Sequence, residues 1–233
     1  MRRRTGVHML PAFAAGVLMS AMFSGCTIWL TDQEAFQTGK VLERGQVQAT
    51  ARSFCQYPMQ YGSLSCGVGN GLELAIAGGR DFPMPLSGLV SATQSVYSGD
   101  DLSGSVSLSL EGFARADTFR YSGTRVSGAF ALGYYPWSWL GVYAPVKLSY
   151  VRLPPDLFAG TWWGKRVTRR FPGVDGLALV PGLGISFESQ YVFARLGYNF
   201  PLFGPTVKSD SLTYGFDLIP YFGAQVGVRI KLF

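Results

Sequence analysis

Between Asp175 and Glu188 the residues Leu177, Leu179, Leu183, Ile185 and Phe187 share one parity, and Ala178, Gly182, Gly184, Ser186 and Glu188 share the other. Successive strand side chains point to opposite faces, so this period of two predicts a strand with one wide apolar face and one small polar face. After a break at Glu188, Ser189 and Gln190 a second run sets Val192, Ala194, Leu196, Tyr198 and Phe200 against Arg195, Gly197 and Asn199. The two runs form a predicted hairpin.

The rest of the chain repeats the pattern more loosely. A first strand sets Val47, Ala49 and Ala51 against Gln46, Gln48, Thr50 and Arg52, and a second sets Leu72, Leu74 and Ile76 against Glu73, Ala75 and Ala77. Leu86 to Tyr97 is a third, less regular strand. Beyond the turn cluster at Ser98 to Asp101, Val106, Leu108 and Leu110 oppose Ser105, Ser107, Ser109 and Glu111. Val126, Phe130, Leu132 and Tyr134 then oppose Arg125, Ser127, Ala129, Ala131 and Gly133. Leu140, Val142, Ala144, Val146, Leu148 and Tyr150 oppose Gly141, Tyr143, Lys147 and Ser149. From Leu212 to Leu232 the apolar residues keep one parity, as a single long strand would. This makes nine strands. An odd count leaves the first and last strand ends on opposite sides, so the expectation is eight to ten strands with the parity open.

Such regular spacing of strands suits a sandwich or a barrel. The polar faces favour the barrel. Glu73, Glu111, Arg115, Arg125, Lys147, Glu188, Arg195, Arg229 and Lys231 all lie opposite the apolar face, among Gly, Ala and Ser. Small residues dotted with both charge signs suit a narrow lumen in which ions pair, whereas the outer face of a sandwich would carry bulky polar side chains throughout. The expected fold is all-β, an antiparallel up-and-down β-barrel. Its apolar face points to lipid if it spans a membrane, and inward, onto an apolar ligand, if it is a soluble tethered barrel.

Aromatic residues gather at the turn around Tyr134, Tyr135, Trp137 and Trp139, as an interfacial girdle or as packing at a hairpin end. The longest central connection, Leu153 to Gly173, holds Trp162, Trp163, Lys165, Arg166, Arg169 and Arg170. Facing outward, it would lie beside anionic lipid or lipopolysaccharide, with Arg gripping phosphate. The alternative is a solvated loop that caps the barrel mouth.

Composition fits many short, curved strands: 30 of the 233 residues are Gly, 48% are hydrophobic and only 15% are charged. No apolar run after the N-terminus is long enough for a transmembrane helix. Arg2, Arg3 and Arg4 followed by the apolar stretch Met9 to Phe23 resemble a secretory signal peptide. The run Phe23-Ser24-Gly25-Cys26 resembles the bacterial lipobox, with Phe where that motif usually has Leu. The resemblance implies a fatty acyl group such as palmitate on Cys26 and, with Thr27 rather than Asp next, sorting to the outer membrane. An ordinary signal peptide cut nearby is the other reading. The expected organisation is a signal peptide over residues 1–25, a lipidated tether over 26–44 and a barrel over 45–233. Loss of the signal would lower the net charge from +6 to +3, seventeen basic residues against fourteen acidic.

Cys55 and Cys66 then remain as a candidate disulfide across the first loop, with two free thiols as the alternative. His8, the single histidine, would leave with the signal peptide. Ser-His-Asp chemistry and His-bound metal are therefore not expected, nor are an enzyme, a cofactor or a metal site. An envelope-lipid enzyme is the lesser alternative. There is no basic block with interleaved aromatics to suggest nucleic-acid binding.

Taken together, the signal, the alternation from Gln46 onward and the aromatic C-terminus resemble the bacterial outer-membrane β-barrels, and more loosely the small barrel lipoproteins. One departure is that Phe233 shares parity with Lys231 and Arg229 rather than with Leu232. The resemblance implies an outer-membrane location and a structural or small-solute role. At this strand number the lumen is about filled by side chains.

Overall fold

The computed structural model describes residues 36–54, 57–80, 86–114, 121–153, 159–162, 165–168, 174–209, 212–215 and 221–232. Its strands are β1 Gln46–Phe54, β2 Tyr57–Gly69, β3 Leu72–Arg80, β4 Leu86–Ser98, β5 Leu102–Ala114, β6 Tyr121–Trp137 and β7 Leu140–Leu153. They continue with β8 Ala159–Trp162, β9 Lys165–Thr168, β10 Val174–Glu188, β11 Val192–Asn199, β12 Thr206–Ser209, β13 Leu212–Gly215 and β14 Tyr221–Lys231. Among the described residues, ten of these close into one antiparallel barrel in the circular order β1, β14, β11, β10, β7, β6, β5, β4, β3, β2. Each barrel strand lies beside its neighbours in sequence, so the barrel is up-and-down. The short hairpins β8–β9 and β12–β13 are separate two-stranded sheets within the two longest connections.

Alternation decides which face turns where. Leu108 and Leu183 point outward and are 63% and 59% exposed, whereas Arg125 and Ser105 point inward and are 1% and 0% exposed. The soluble carrier with an apolar interior is thereby overturned: its greasy faces would have to be buried, and here they form the exterior. A continuous outer band of Leu, Ile, Val and Phe is costly in water and matches a hydrocarbon surround. At the girdle, Tyr134, Trp137 and Trp139 face out, the two Trp rings stacked 6.0 Å apart, but Tyr135 turns inward and is buried.

Two strand assignments change. Tyr57–Gly69, expected as a loop, is β2, and it makes the count even. The run from Leu212 is divided between β13 and β14. With ten strands Gln46 pairs with Lys231, so β1 begins and β14 ends at the same mouth, called here the termini-side mouth. The tight turns after β2, β4, β6 and β10 lie at that mouth, and the long connections lie at the other. The turn after β2 is Asn70-Gly71 with φ of 53° and 69°, the pair of positive angles that a two-residue hairpin turn matching strand twist requires.

Of the two cysteines expected to pair, only Cys66 falls within the described residues. Cys66 is a free, outward-facing cysteine opposite Val47 near the start of β1, whereas Cys55 follows Phe54 at the end of β1 and lies outside the described residues.

Candidate functional site

Residues 36–44 are not a free tether. They enter from β1, cross the termini-side mouth without joining the sheet, and end with Phe36 buried in the lumen. The wall is shaped for them. A Cβ at Gly67 would collide with the carbonyls of Leu42 and Glu43, and one at Gly133 would collide with the carbonyl of Thr38. Two glycines at positive φ, Gly39 at 80° and Gly45 at 76°, bracket the stretch Lys40 to Arg44.

Polar contacts hold the segment. Gln37 donates from Nε2 to Ser105 Oγ and accepts from Ser107 Oγ, each at 2.9 Å. Tyr135 donates to the Thr38 carbonyl at 3.1 Å, and the Leu42 amide donates to Glu73 at 3.1 Å. Arg195 donates to the Phe36 carbonyl at 3.3 Å. These partners come from β3, β5, β6 and β11, so the segment ties together distant parts of the wall.

Glu188 is the centre of charge at this mouth. It accepts from Ser186 at 2.9 Å and faces Arg195 at 3.5 Å, Lys40 at 3.7 Å and Arg229 at 3.8 Å. Lys40 also lies 3.3 Å from the centre of the Tyr135 ring, and Arg195 and Arg229 lie 4.4 and 5.4 Å from that of Phe193. Such ring contacts lower the cost of holding several cations close together. Burial pulls the Lys40 ammonium below its ordinary pKa, and Glu188 opposes that shift.

Deeper in the lumen Glu111 and Arg125 face one another in register across β5 and β6, form an ion pair and are buried. Lys147 is buried on β7. Ser91, Ser109, Ser127 and Ser149 form one register row across β4, β5, β6 and β7. The inward aromatics Tyr143 and Phe193 lie against Gly184 and Gly227, where no side chain stands in their way. A cavity of about 710 Å³ remains beside the segment, with Ser65, Glu73, Ser91, Thr93, Arg195 and Arg229 in its wall.

Of the residues singled out in the sequence, Glu188, Arg195 and Arg229 converge at the mouth, Glu111 and Arg125 pair deeper in, and Lys147 is also luminal. Trp162, Lys165 and Arg166 fall in β8 and β9, in the connection at the mouth opposite the termini. Cys26, Trp163, Arg169, Arg170 and Phe233 lie outside the described residues. Lys40 and Gln37 carry much of the site, yet nothing in their local pattern marks them, and Tyr135, grouped with the girdle in sequence, is placed inward by its parity with Arg125 and Gly133.

An outside of aliphatic side chains and an inside of ion pairs, in a closed antiparallel barrel, decide the fold. It is that of the outer-membrane β-barrels. No protein-family model matches the chain, and no curated protein does. Solved structures similar to it include the KdgM porin, at 9% identity and a TM-score of 0.40 over 81% of this chain and 99% of that one. The translocator domain of autotransporter NalP from Neisseria meningitidis shows 14% identity and a TM-score of 0.42 over 96% and 95%. Neisserial surface protein A shows 12% and 0.29 over 80% and 94%. At these values nothing about cargo or role transfers to this chain.

Proposed function

We propose that this protein is a closed outer-membrane barrel with a structural role in the envelope, additionally anchored by a lipid on Cys26. The observation that supports this most is the pairing of a lipid-compatible exterior with a lumen occupied by side chains and by Phe36 to Arg44. A barrel of this size has little room beyond its side chains, and here a segment of its own chain takes part of what is left. The short turns and both barrel termini then face the periplasm, and the β8–β9 connection faces out beside lipopolysaccharide. The reading assigns no catalysis.

Membrane fractionation together with gel mobility before and after heating tests the reading. A folded barrel co-fractionates with the outer membrane and changes mobility on heating; a soluble fraction with unchanged mobility overturns the reading. The anchor is tested separately. Cys26→Ser should abolish labelling by a fatty-acid probe and leave unprocessed precursor, and persistent labelling would remove Cys26 as the site.

A further inference from the structure

We propose that Phe36 to Arg44 is a gate, held closed because the Glu188 carboxylate compensates the charge of Lys40 beside Arg195 and Arg229, and that its release opens the lumen to small hydrophilic solutes. The inference rests on the membrane-barrel reading and adds a second, conductive state to it.

Four features carry it. First, the segment is outside the sheet, so its movement breaks no strand pairing. Second, its contacts are mostly side-chain and carbonyl hydrogen bonds to a polar wall, which water can replace at little net cost. Third, the positive-φ glycines Gly39 and Gly45 provide hinge points at both ends of Lys40 to Arg44, and the adjacent cavity provides space for the displaced chain. Fourth, the wall beyond the segment is also polar: the row Ser91, Ser109, Ser127 and Ser149 crosses β4 to β7, with Ser109, Ser127 and Ser149 buried.

The latch follows from charge. Glu188 faces three cations, Lys40 from the segment and Arg195 and Arg229 from the wall. Glu73, the other carboxylate at this face of the segment, holds the Leu42 amide. Without the negative charge of Glu188, Lys40 would be left partly desolvated and facing two arginines. Removing one partner of such a pair is disruptive because the other charge is left uncompensated. Gly133 offers an independent route, since any Cβ there meets the Thr38 carbonyl and the Tyr135 ring.

The test uses the full-length protein in planar bilayers in potassium chloride, with trypsin cleavage after Lys40 as a separate measure of release. Glu188→Gln and Gly133→Ala should each raise the open fraction roughly 5- to 30-fold over wild type, the shift that one or two lost contacts of ordinary strength would give, with cleavage rising in step. Faster cleavage without current would show the lumen closed elsewhere and overturn the gate. Unchanged current and cleavage in variants that retain heat-modifiable mobility would overturn it as well. Loss of the mobility shift in the wild-type protein itself would instead bring down the barrel reading, and the gate with it.

Discussion

The Lys40 ammonium lies 3.7 Å from the Glu188 carboxylate and 3.3 Å from the centre of the Tyr135 ring, joining the entering segment to the ends of β10 and β6. The contact offsets a cost rather than adding a large gain. Lys40 is partly exposed, and burial still pulls its pKa below the ordinary 10.5, so the docked segment holds this proton less tightly than the free one does.

Between that depressed value and 10.5, raising the pH removes a charge that docking disfavours, and the segment docks more tightly. Below the window the penalty is present in full. Hydrogen-exchange protection factors for residues 37–44 should therefore rise on entering the window from below. For the same reason Lys40→Met should leave docking intact and should partly restore protection lost in Glu188→Gln. A double variant no better protected than Glu188→Gln alone would remove Lys40 from the latch.

Much of the wall was legible because each strand has one lipid face and one luminal face, so parity alone orients a residue. Leu108 against Ser107, and Leu183 against Gly184, are oriented as their alternation indicates. β2 was missed because its outward positions, Gly62, Leu64, Cys66 and Val68, are weakly apolar and its cysteine suggested a stapled loop. The signal that marks it is Asn70-Gly71, a hairpin turn between two alternating runs. The luminal segment could not be read this way. Phe36 to Arg44 has no periodicity, and its partners are set by barrel closure, which brings Ser105, Tyr135 and Glu188 to one mouth. The glycines that admit it, Gly67 and Gly133, resemble the many other small luminal residues in sequence.

Facing predicts how the barrel tolerates charge. Leu108→Arg places a guanidinium on the outer band near mid-strand and should cost about 2 to 4 kcal/mol of folding free energy in lipid. Urea titration of barrel refolded into vesicles measures this. An effect below the scatter of wild-type titrations would mean that β5 does not present Leu108 to hydrocarbon.

Glu111 and Arg125 form a buried pair, so single and double substitutions should differ in kind. Glu111→Gln removes the carboxylate that faces Arg125 in register and should destabilise by about 3 to 5 kcal/mol. Glu111→Leu combined with Arg125→Met removes both charges and should recover most of that loss. A double variant that unfolds as readily as Glu111→Gln would show that other luminal groups depend on the pair.

The last prediction concerns the connection between β7 and β10. It lies at the mouth opposite the termini, which on the proposed orientation faces the anionic sugars and phosphates of the outer leaflet. Lys165, Arg166, Arg169 and Arg170 follow Trp162 and Trp163 there, and arginine grips phosphate in a planar fork whereas tryptophan favours the membrane interface. Changing the four basic residues to Gln should preserve heat-modifiable mobility and weaken binding to vesicles containing lipopolysaccharide. The difference from wild type should shrink as salt rises and screens the wild-type attraction. Binding that is equally strong in both proteins at low salt would show the loop to be a solvated cap. Cleavage of the loop only by protease admitted to the periplasm would reverse the proposed orientation of the barrel.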